Sequence, residues 1–390
     1  MATHREYSGF HIDTVGRVVR KTLLNECVTL PVAAAATWLS QESSAATLGK
    51  VLEFAATLGL NLTPAIVSRI ARVALCLGGA GFLLSANRLL NKWSANNFTR
   101  STPGEWSHWE REIVVVTGGS SGIGQNIVKG LLARNPRTTI VILDFAPLSW
   151  TPAAGTLGRT LHYYQADLSR PDVIRDVCAR VRAEVGHPTV LINNAGLGRG
   201  YTVMEGAYAD VEVTFKTNLI APFLLCKEFL PDMVKNNHGH IVSICSMSAV
   251  VPPPEMVDYA ASKAGIQSLY EGLALELKYR HDAPRVRLTN CLFNFIQTPL
   301  LTSAGQERPL QPQFFAPLLH VETVSEAIVN GIYSGYGNII YLPGLMRYIT
   351  MLRAGPEWLF RVAVARGTAQ MKVSFKGRQQ IDKTGGLAPK

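Results

Sequence analysis

Apolar positions along this 390-residue chain follow two different patterns. Between about residues 111 and 345, short β-branched runs alternate with stretches of helical period, and Gly, Pro, Asn and Asp punctuate the joins. The runs at 113–116, 139–143, 160–166, 190–192, 240–244, 286–291 and 338–342 read as strands. Helices are expected over 125–133, 173–185, 210–234, 257–280 and 322–333. An uncharged run such as Ile113-Val114-Val115-Val116 suits a strand buried on both faces of a parallel sheet. Strand and helix in alternation predict an α/β domain with a doubly wound, Rossmann-like parallel sheet.

The ends of the chain are patterned otherwise. Apolar stretches occupy 23–39, 51–60 and 66–86, and Asn25, Glu26 and Pro31 interrupt the first. The third carries Arg69 and Arg72 and then 14 uncharged residues from 73 to 86. A bilayer span needs about 20 apolar residues, so this helix crosses a membrane only if its arginines snorkel. Lying in the interface, or packing as a helical pair on the catalytic domain, would give the same pattern. Trp93, Trp106 and Trp109 mark the junction; they suit a membrane interface, or plugs beneath the sheet. Beyond the last strand, 345–365 is apolar with Arg347, Arg353 and Arg361 spread through it, as expected of an amphipathic surface helix, and 376–390 is expected to be disordered. The organisation expected is an apolar helical N-terminal extension over 1–110, a catalytic domain over 111–345, and a basic extension over 346–390.

Charge sharpens that division. The net +10 is held at the ends: 10 Lys/Arg against 7 Asp/Glu over 1–110, 19 against 19 over 111–345, and 9 against 2 over 346–390. A nucleic-acid-binding domain carries its positive charge on the folded body, so no nucleic-acid partner is expected. Basic flanks beside apolar segments suit an anionic membrane or lipid surface. The six cysteines are scattered and form no CxxC or Cys/His cluster, which argues against a metal site and a disulfide framework.

Candidate chemistry begins after the first strand. Thr117-Gly118-Gly119-Ser120-Ser121-Gly122-Ile123-Gly124 leads into a helix, and a strand, glycine turn and helix in that order can seat a pyrophosphate on the helix N-terminus. Gly118 would allow the tight turn, Gly122 the close backbone approach, and Gly124 the packing of helix on strand. Asp144 ends the next strand, 20 residues past Gly124, where a carboxylate accepts from ribose hydroxyls and repels a 2′-phosphate. No Lys or Arg follows at once, so NAD is favoured over NADP. Asp167, at the end of the third strand, suits an adenine contact or a helix cap. Farther on, Tyr259 and Lys263 lie four apart on one helix face. An ammonium favours the phenolate, so Lys263 is expected to bring Tyr259 down toward a useful acid/base range. Ser246, thirteen residues upstream of Tyr259, could hold a substrate oxygen; Ser248 is its neighbouring rival.

Taken together, Thr117–Gly124, Asn193-Asn194-Ala195-Gly196, Asn218, Ser246 and Tyr259-x-x-x-Lys263 resemble, in order and spacing, the short-chain dehydrogenase/reductase superfamily. The apolar N-terminus and C-terminal extension look like its membrane-associated retinol dehydrogenase and 17β-hydroxysteroid dehydrogenase branch. That resemblance implies hydride transfer between NAD(H) and a lipophilic alcohol or carbonyl compound, such as a retinoid, sterol or long-chain lipid. Catalytic roles fall to Asn218, Ser246, Tyr259 and Lys263, with Asn218 holding a water in a proton relay. Cofactor contacts fall to Gly118, Ser120, Ser121, Gly122, Ile123, Gly124, Asp144, Asp167, Asn194, Tyr259, Lys263, Ile296 and Thr298. It further implies attachment to endoplasmic reticulum or lipid droplets, and a homodimer paired through 210–234 and 257–280. Phe293-Asn294 stands where the family usually has Pro-Gly, which leaves room for a non-catalytic scaffold at a membrane; an NADP(H)-dependent biosynthetic ketoreductase is the other alternative. The stretch 298–319, with its prolines and Phe314-Phe315, fits an apolar substrate lid.

Overall fold

The computed structural model describes residues 11–100, 105–298, 314, 317–368 and 379–388. They form two compact units, Ile12–Trp93 and a larger one from Ser94 onward.

The smaller unit is helical: α1 (Ile12–Lys21), α2 (Glu26–Leu39), α3 (Ala45–Thr57) and α4 (Pro64–Ala95). Asn25 caps α2, its side-chain oxygen accepting from Cys27 N at 3.1 Å. Small residues let α2 and α4 approach closely. Ala33, Ala36, Ala71 and Ala74 are buried, and a Cβ on Gly78 would lie 2.6 Å from Leu30 Cδ2. One on Gly81 would run into the Leu24 carbonyl oxygen. The 32 residues of α4 rise about 48 Å at 1.5 Å each, more than the ~30 Å of a hydrocarbon core. Among the described residues α4 is long and apolar enough to cross a membrane, and α1 with α2, bent by 45°, pass the same test as a pair. Leu75, Phe82, Leu83, Leu89 and Leu90 along α4 are each at least half exposed.

In the larger unit seven parallel strands lie in the order β3-β2-β1-β4-β5-β6-β7. They are β1 (Ile113–Thr117), β2 (Thr139–Asp144), β3 (Leu161–Gln165), β4 (Val190–Asn193), β5 (Gly239–Ile244), β6 (Val286–Phe293) and β7 (Asn338–Leu342). Period-two alternation sends Val114, Val116, Ile140 and Ile142 to one face, against α5 (Gly122–Arg134) and α10 (Val321–Tyr333). Val115, Val141 and Leu143 face the other layer, built from α6 (Pro171–Glu184), α8 (Ala221–Lys235) and α9 (Val257–Tyr279). The fold is the expected doubly wound sheet, and chain reversal between β1 and β4 opens the crevice where such sheets bind ligands.

At the opposite edge of the strands the junction segment is tied to the sheet. Asn96 Nδ2 donates to Gly337 O at 3.0 Å, and Gly337 N donates to Asn96 Oδ1 at 2.8 Å. Buried Arg287 reaches Thr99 Oγ1 at 2.9 Å. Trp106 and Trp109 are plugs beneath the sheet: both are buried, Trp109 stacks on Tyr333 with ring centroids 4.0 Å apart, and Trp106 lies 4.4 Å from His238. The larger unit thus takes in residues 94–100 and 105–110 as well as the body of the sheet.

Three local expectations are corrected. The helix expected over 210–234 is interrupted: α7 (Tyr208–Phe215) runs into a π-helical turn, Lys216–Ile220, before α8. The helix expected over 345–365 breaks into a short 3-10 turn (Gly344–Tyr348), α11 (Ile349–Leu352) and α12 (Glu357–Thr368), because Gly355-Pro356 cannot continue a helix. Residues 379–388, within the tail expected to be disordered, are folded onto the larger unit. The expected lid over 298–319 lies outside the described residues apart from Thr298, Phe314 and 317–319.

Candidate active site

The C-terminal ends of β1, β2 and β4 border a cleft lined by Gly118, Ser121, Gly122, Ile123, Asp144 and Asn194, and extending to Gly196 and Thr298. Gly118 and Gly122 adopt φ of +66° and +57°, which residues with a Cβ rarely do. A Cβ on Gly124 would strike the Gly118 carbonyl oxygen, so the first turn of α5 lies directly against the end of β1. Asn194 fastens this turn: its Nδ2 donates to Thr117 O at 2.8 Å and Gly118 O at 3.0 Å. Asn194 N and Ala195 N both donate to Thr117 Oγ1 at 2.9 Å. The Asn194 amide therefore shapes the cradle from behind. Ser120 is also turned inward; it is buried and its hydroxyl donates to Ala146 O at 2.8 Å. Asp144 accepts from Ser120 N at 2.8 Å on one oxygen and from Ala146 N at 3.0 Å on the other, which fixes its carboxylate at the cleft wall. Among the described lining residues there is no Lys or Arg. Bare backbone at a helix N-terminus beside a fixed carboxylate fits a pyrophosphate and its adenosine ribose.

The second cluster stands at the end of β5, separated from the cleft by Gly196. A Cβ there would lie 3.4 Å from Asn218 Oδ1 and 3.5 Å from Lys263 Nζ. Asn218 sits in the π-helical turn, a feature frequent at functional sites. Its buried amide clasps the backbone of Leu197, accepting from Leu197 N at 2.9 Å and donating to Leu197 O at 2.8 Å. It also donates to Ser262 Oγ at 3.1 Å. Ser246 leaves β5 in extended conformation, its hydroxyl accepts from Ser248 N at 3.2 Å, and it stands near enough to the Tyr259 hydroxyl to act on its protonation. Ser248 Oγ, on the rival serine, is buried without a hydrogen-bond partner. Lys263 Nζ lies 5.6 Å from the Tyr259 ring centroid and donates to Ile244 O at 2.8 Å.

Protonation in this cluster departs from expectation. Burial pushes the Tyr259 hydroxyl up to about 12, against a smaller lowering by its hydrogen bond to Ser246. Burial also brings the Lys263 ammonium down to about 8. Desolvation is the largest cause at both groups, and the ammonium is directed at the Ile244 carbonyl.

A sequence model of the short chain dehydrogenases matches residues 112–309. The chain belongs to the short-chain dehydrogenase family. It is 38% identical over 201 residues to Dehydrogenase RED2 of Cochliobolus heterostrophus, covering 51% of this chain and 72% of that one. It is 30% identical over 249 residues to Estradiol 17-beta-dehydrogenase 11 of Rattus norvegicus, covering 63% and 80%. A short-chain dehydrogenase/reductase from Burkholderia phymatum, solved in complex with NAD, shares the fold with a TM-score of 0.52 at 21% identity, over 63% of this chain and 94% of that one. As a member of this family the protein is an NAD(P)-dependent oxidoreductase acting on a small-molecule alcohol or carbonyl.

Other residues expected to touch the cofactor are placed as follows. Thr298 lines the cleft, while Ile296 is buried in the core and pairs with Leu319. Phe293 is the last residue of β6 and packs inward, and Asn294 N continues the pairing with β7 by donating to Leu342 O at 2.9 Å. Asn294 Nδ2 is buried there without a hydrogen-bond partner. Asp167 has both carboxylate oxygens engaged by the protein itself: Oδ1 accepts from Ser169 N at 2.9 Å and Ser169 Oγ at 2.7 Å, and Oδ2 accepts from Leu387 N at 2.8 Å. It holds the turn before α6 together with the C-terminal segment, and it does not cap that helix, whose N-cap is Arg170 with no side-chain capping bond. Sequence reasoning missed Gly196 as the partition between cleft and cluster. It also missed Gln379 and Leu387, which line the cleft from the far end of the chain. The signal was there: Asp382-Lys383-Thr384-Gly385-Gly386 is a turn sequence flanked by Ile381 and Leu387.

Proposed function

We propose that this protein is a membrane-attached dehydrogenase/reductase that transfers hydride between NAD(H) and a lipophilic alcohol or ketone, with Tyr259 as its acid/base. The observation carrying the reading is that Lys263, 5.6 Å from the Tyr259 ring, lies just behind Gly196, which itself lines a cleft made of bare glycine backbone. Gly118, Ser121, Gly122 and Ile123 would hold the pyrophosphate, Asp144 the adenosine ribose, and Lys263 and Thr298 the nicotinamide end. NAD is favoured because Asp144 is a fixed carboxylate with no cation beside it among the lining residues. When bound, the nicotinamide supplies or accepts the hydride. Ser246 orients the substrate oxygen and Tyr259 exchanges the proton on it. A phenol raised to about 12 is neutral at physiological pH and is set to donate, which suits carbonyl reduction. Oxidation draws on the phenolate, so its rate should climb with pH.

A lipophilic substrate is supported by the apolar surface of Ile12–Trp93 and by the exposed Met351, Trp358 and Val362 that follow the sheet. These features also support the division into membrane-associating, catalytic and C-terminal segments, and a site of work at the endoplasmic reticulum or on lipid droplets. The test is NADH-linked turnover by the full chain in detergent, over alcohols and carbonyls graded from short and polar to long-chain, retinoid and steroid. Rates should rise with apolar size; turnover confined to short polar compounds would overturn the substrate class.

A further inference from the structure

Residues 379–388 fold into a self-supporting turn. Asp382 N donates to Gly386 O and Ala388 N to Gln380 O, both at 2.9 Å. Asp382 Oδ1 accepts from Thr384 N at 2.8 Å, Thr384 Oγ1 at 2.7 Å and Gly386 N at 3.0 Å. Three contacts fasten this turn to the larger unit. Leu387 N donates to Asp167 Oδ2 at 2.8 Å. Arg199 Nη1 donates to Gln379 O at 2.7 Å, while Arg199 Nε is locked to Asp210 at 2.6 Å in a buried ion pair. The Leu387 side chain is buried with Leu197 and Val213, and Phe145 and Ile381 pack against them. The turn passes close over the carboxylate, since a Cβ on Gly386 would lie 2.9 Å from Asp167 Oδ2.

The place of this contact matters more than its strength. In a doubly wound sheet the adenosine half of a dinucleotide lies over the ends of β1, β2 and β3, with the ribose on the acid that ends β2. Beyond Asp144 the cleft wall is Phe145, Ala166 and Leu168, and here Gln379 and Leu387 close it. Asp167 stands at the end of β3 with Oδ1 already committed to Ser169. Oδ2 is the oxygen left to accept an exocyclic amine, and the Leu387 amide is on it.

We propose that the 379–388 segment is a strap which occupies the adenine end of the cofactor site, so that strap docking and full seating of the dinucleotide exclude one another. The proposal rests on the NAD(H) reading of the cleft. The docked turn presents an amide N–H to Asp167 and an apolar side chain to Phe145 and Leu197, which are the two features an adenine ring would present. A strap docked about nine-tenths of the time raises the apparent Kd for the cofactor about tenfold.

The experiment measures amide hydrogen exchange over 380–388 in the full-length protein in detergent, with NADH, ADP-ribose or nicotinamide mononucleotide added. NADH binding is followed by its fluorescence in the same samples and in Leu387→Ser. NADH and ADP-ribose should each speed exchange at the Leu387 amide by about tenfold, and nicotinamide mononucleotide should leave it unchanged. Leu387→Ser should bind NADH about tenfold more tightly. Bound NADH with exchange at Leu387 unchanged or slowed, or Leu387→Ser binding NADH no better than the parent, would make the segment a clamp or a bystander and end the proposal. Failure of both proteins to bind NADH would instead overturn the reading of the cleft, and the strap with it.

Discussion

Replacing Asp144 by serine tests the cofactor assignment most sharply. The carboxylate is partly exposed at the cleft wall and held by two backbone N–H groups, from Ser120 at 2.8 Å and Ala146 at 3.0 Å, so it cannot swing away from an incoming 2′-phosphate. Like charges about 5 Å apart at an effective dielectric of about 20 repel by roughly 3 kcal/mol per pair of unit charges. A phosphate carries up to about two charges, and solvent screening removes about half of the total, leaving about 3 kcal/mol, or roughly a hundredfold in affinity. Dissociation constants for NADH and NADPH, measured by fluorescence titration, should therefore differ by about a hundredfold in favour of NADH in the parent protein. Asp144→Ser should shrink that ratio below about tenfold, with NADPH gaining and NADH losing the one or two hydrogen bonds of its ribose. A parent protein that prefers NADPH, or a ratio untouched by the substitution, would refute the electrostatic argument.

Lys263→Met addresses the buried ammonium. Its folded-state value of about 8 lies below its ordinary value, so between these two pH values the folded protein has shed a proton that the unfolded chain keeps, and stability climbs with pH across that window. Below pH 8 the buried charge costs about 3 kcal/mol, and methionine removes that cost while leaving the Ile244 carbonyl unpaired, for a net gain of about 2 kcal/mol. Urea unfolding at pH 7 should show Lys263→Met more stable and inactive, with the gain fading by pH 10; a less stable variant would mean that the ammonium is not under strain. A chain begun at Ser94 keeps the Asn96–Gly337 clamp and should stay in the supernatant without detergent, whereas one begun after Arg100 loses it and should unfold more readily. Continued pelleting of the Ser94 chain with membranes would move the attachment to the C-terminal helices.

The sheet was legible because strands such as β1, β2 and β4 are apolar runs rich in valine and isoleucine that end in a glycine turn, a carboxylate or an asparagine. The catalytic cluster was legible because its spacings follow from helix geometry, Tyr259 and Lys263 being one turn apart in α9. The π-helical turn at Asn218 was not, since its cause is tertiary: the amide is pulled onto both backbone groups of Leu197, a partner 21 residues away. Nor was the protonation of Tyr259, because one-turn spacing brings Lys263 near but leaves open where the ammonium points, and Ile244 O claims it. The fate of Asp167 needed knowledge of a residue 220 positions on, Leu387, whose own neighbourhood reads as a polar tail unless the Asp382–Gly386 turn is noticed. Trp106 and Trp109 fit either a lipid interface or a sheet base by composition, and only the His238 and Tyr333 rings beside them decide.

Everything proposed about the reaction converges on one oxygen atom. Tyr259→Phe deletes it while keeping the ring that fills its place on α9, so NADH binding should be retained. Single-turnover reduction of an apolar ketone by pre-bound NADH, followed by loss of nicotinamide absorbance, should slow by about 100- to 10,000-fold. A Tyr259→Phe protein that binds NADH and reduces the ketone at the parental rate would contradict the account.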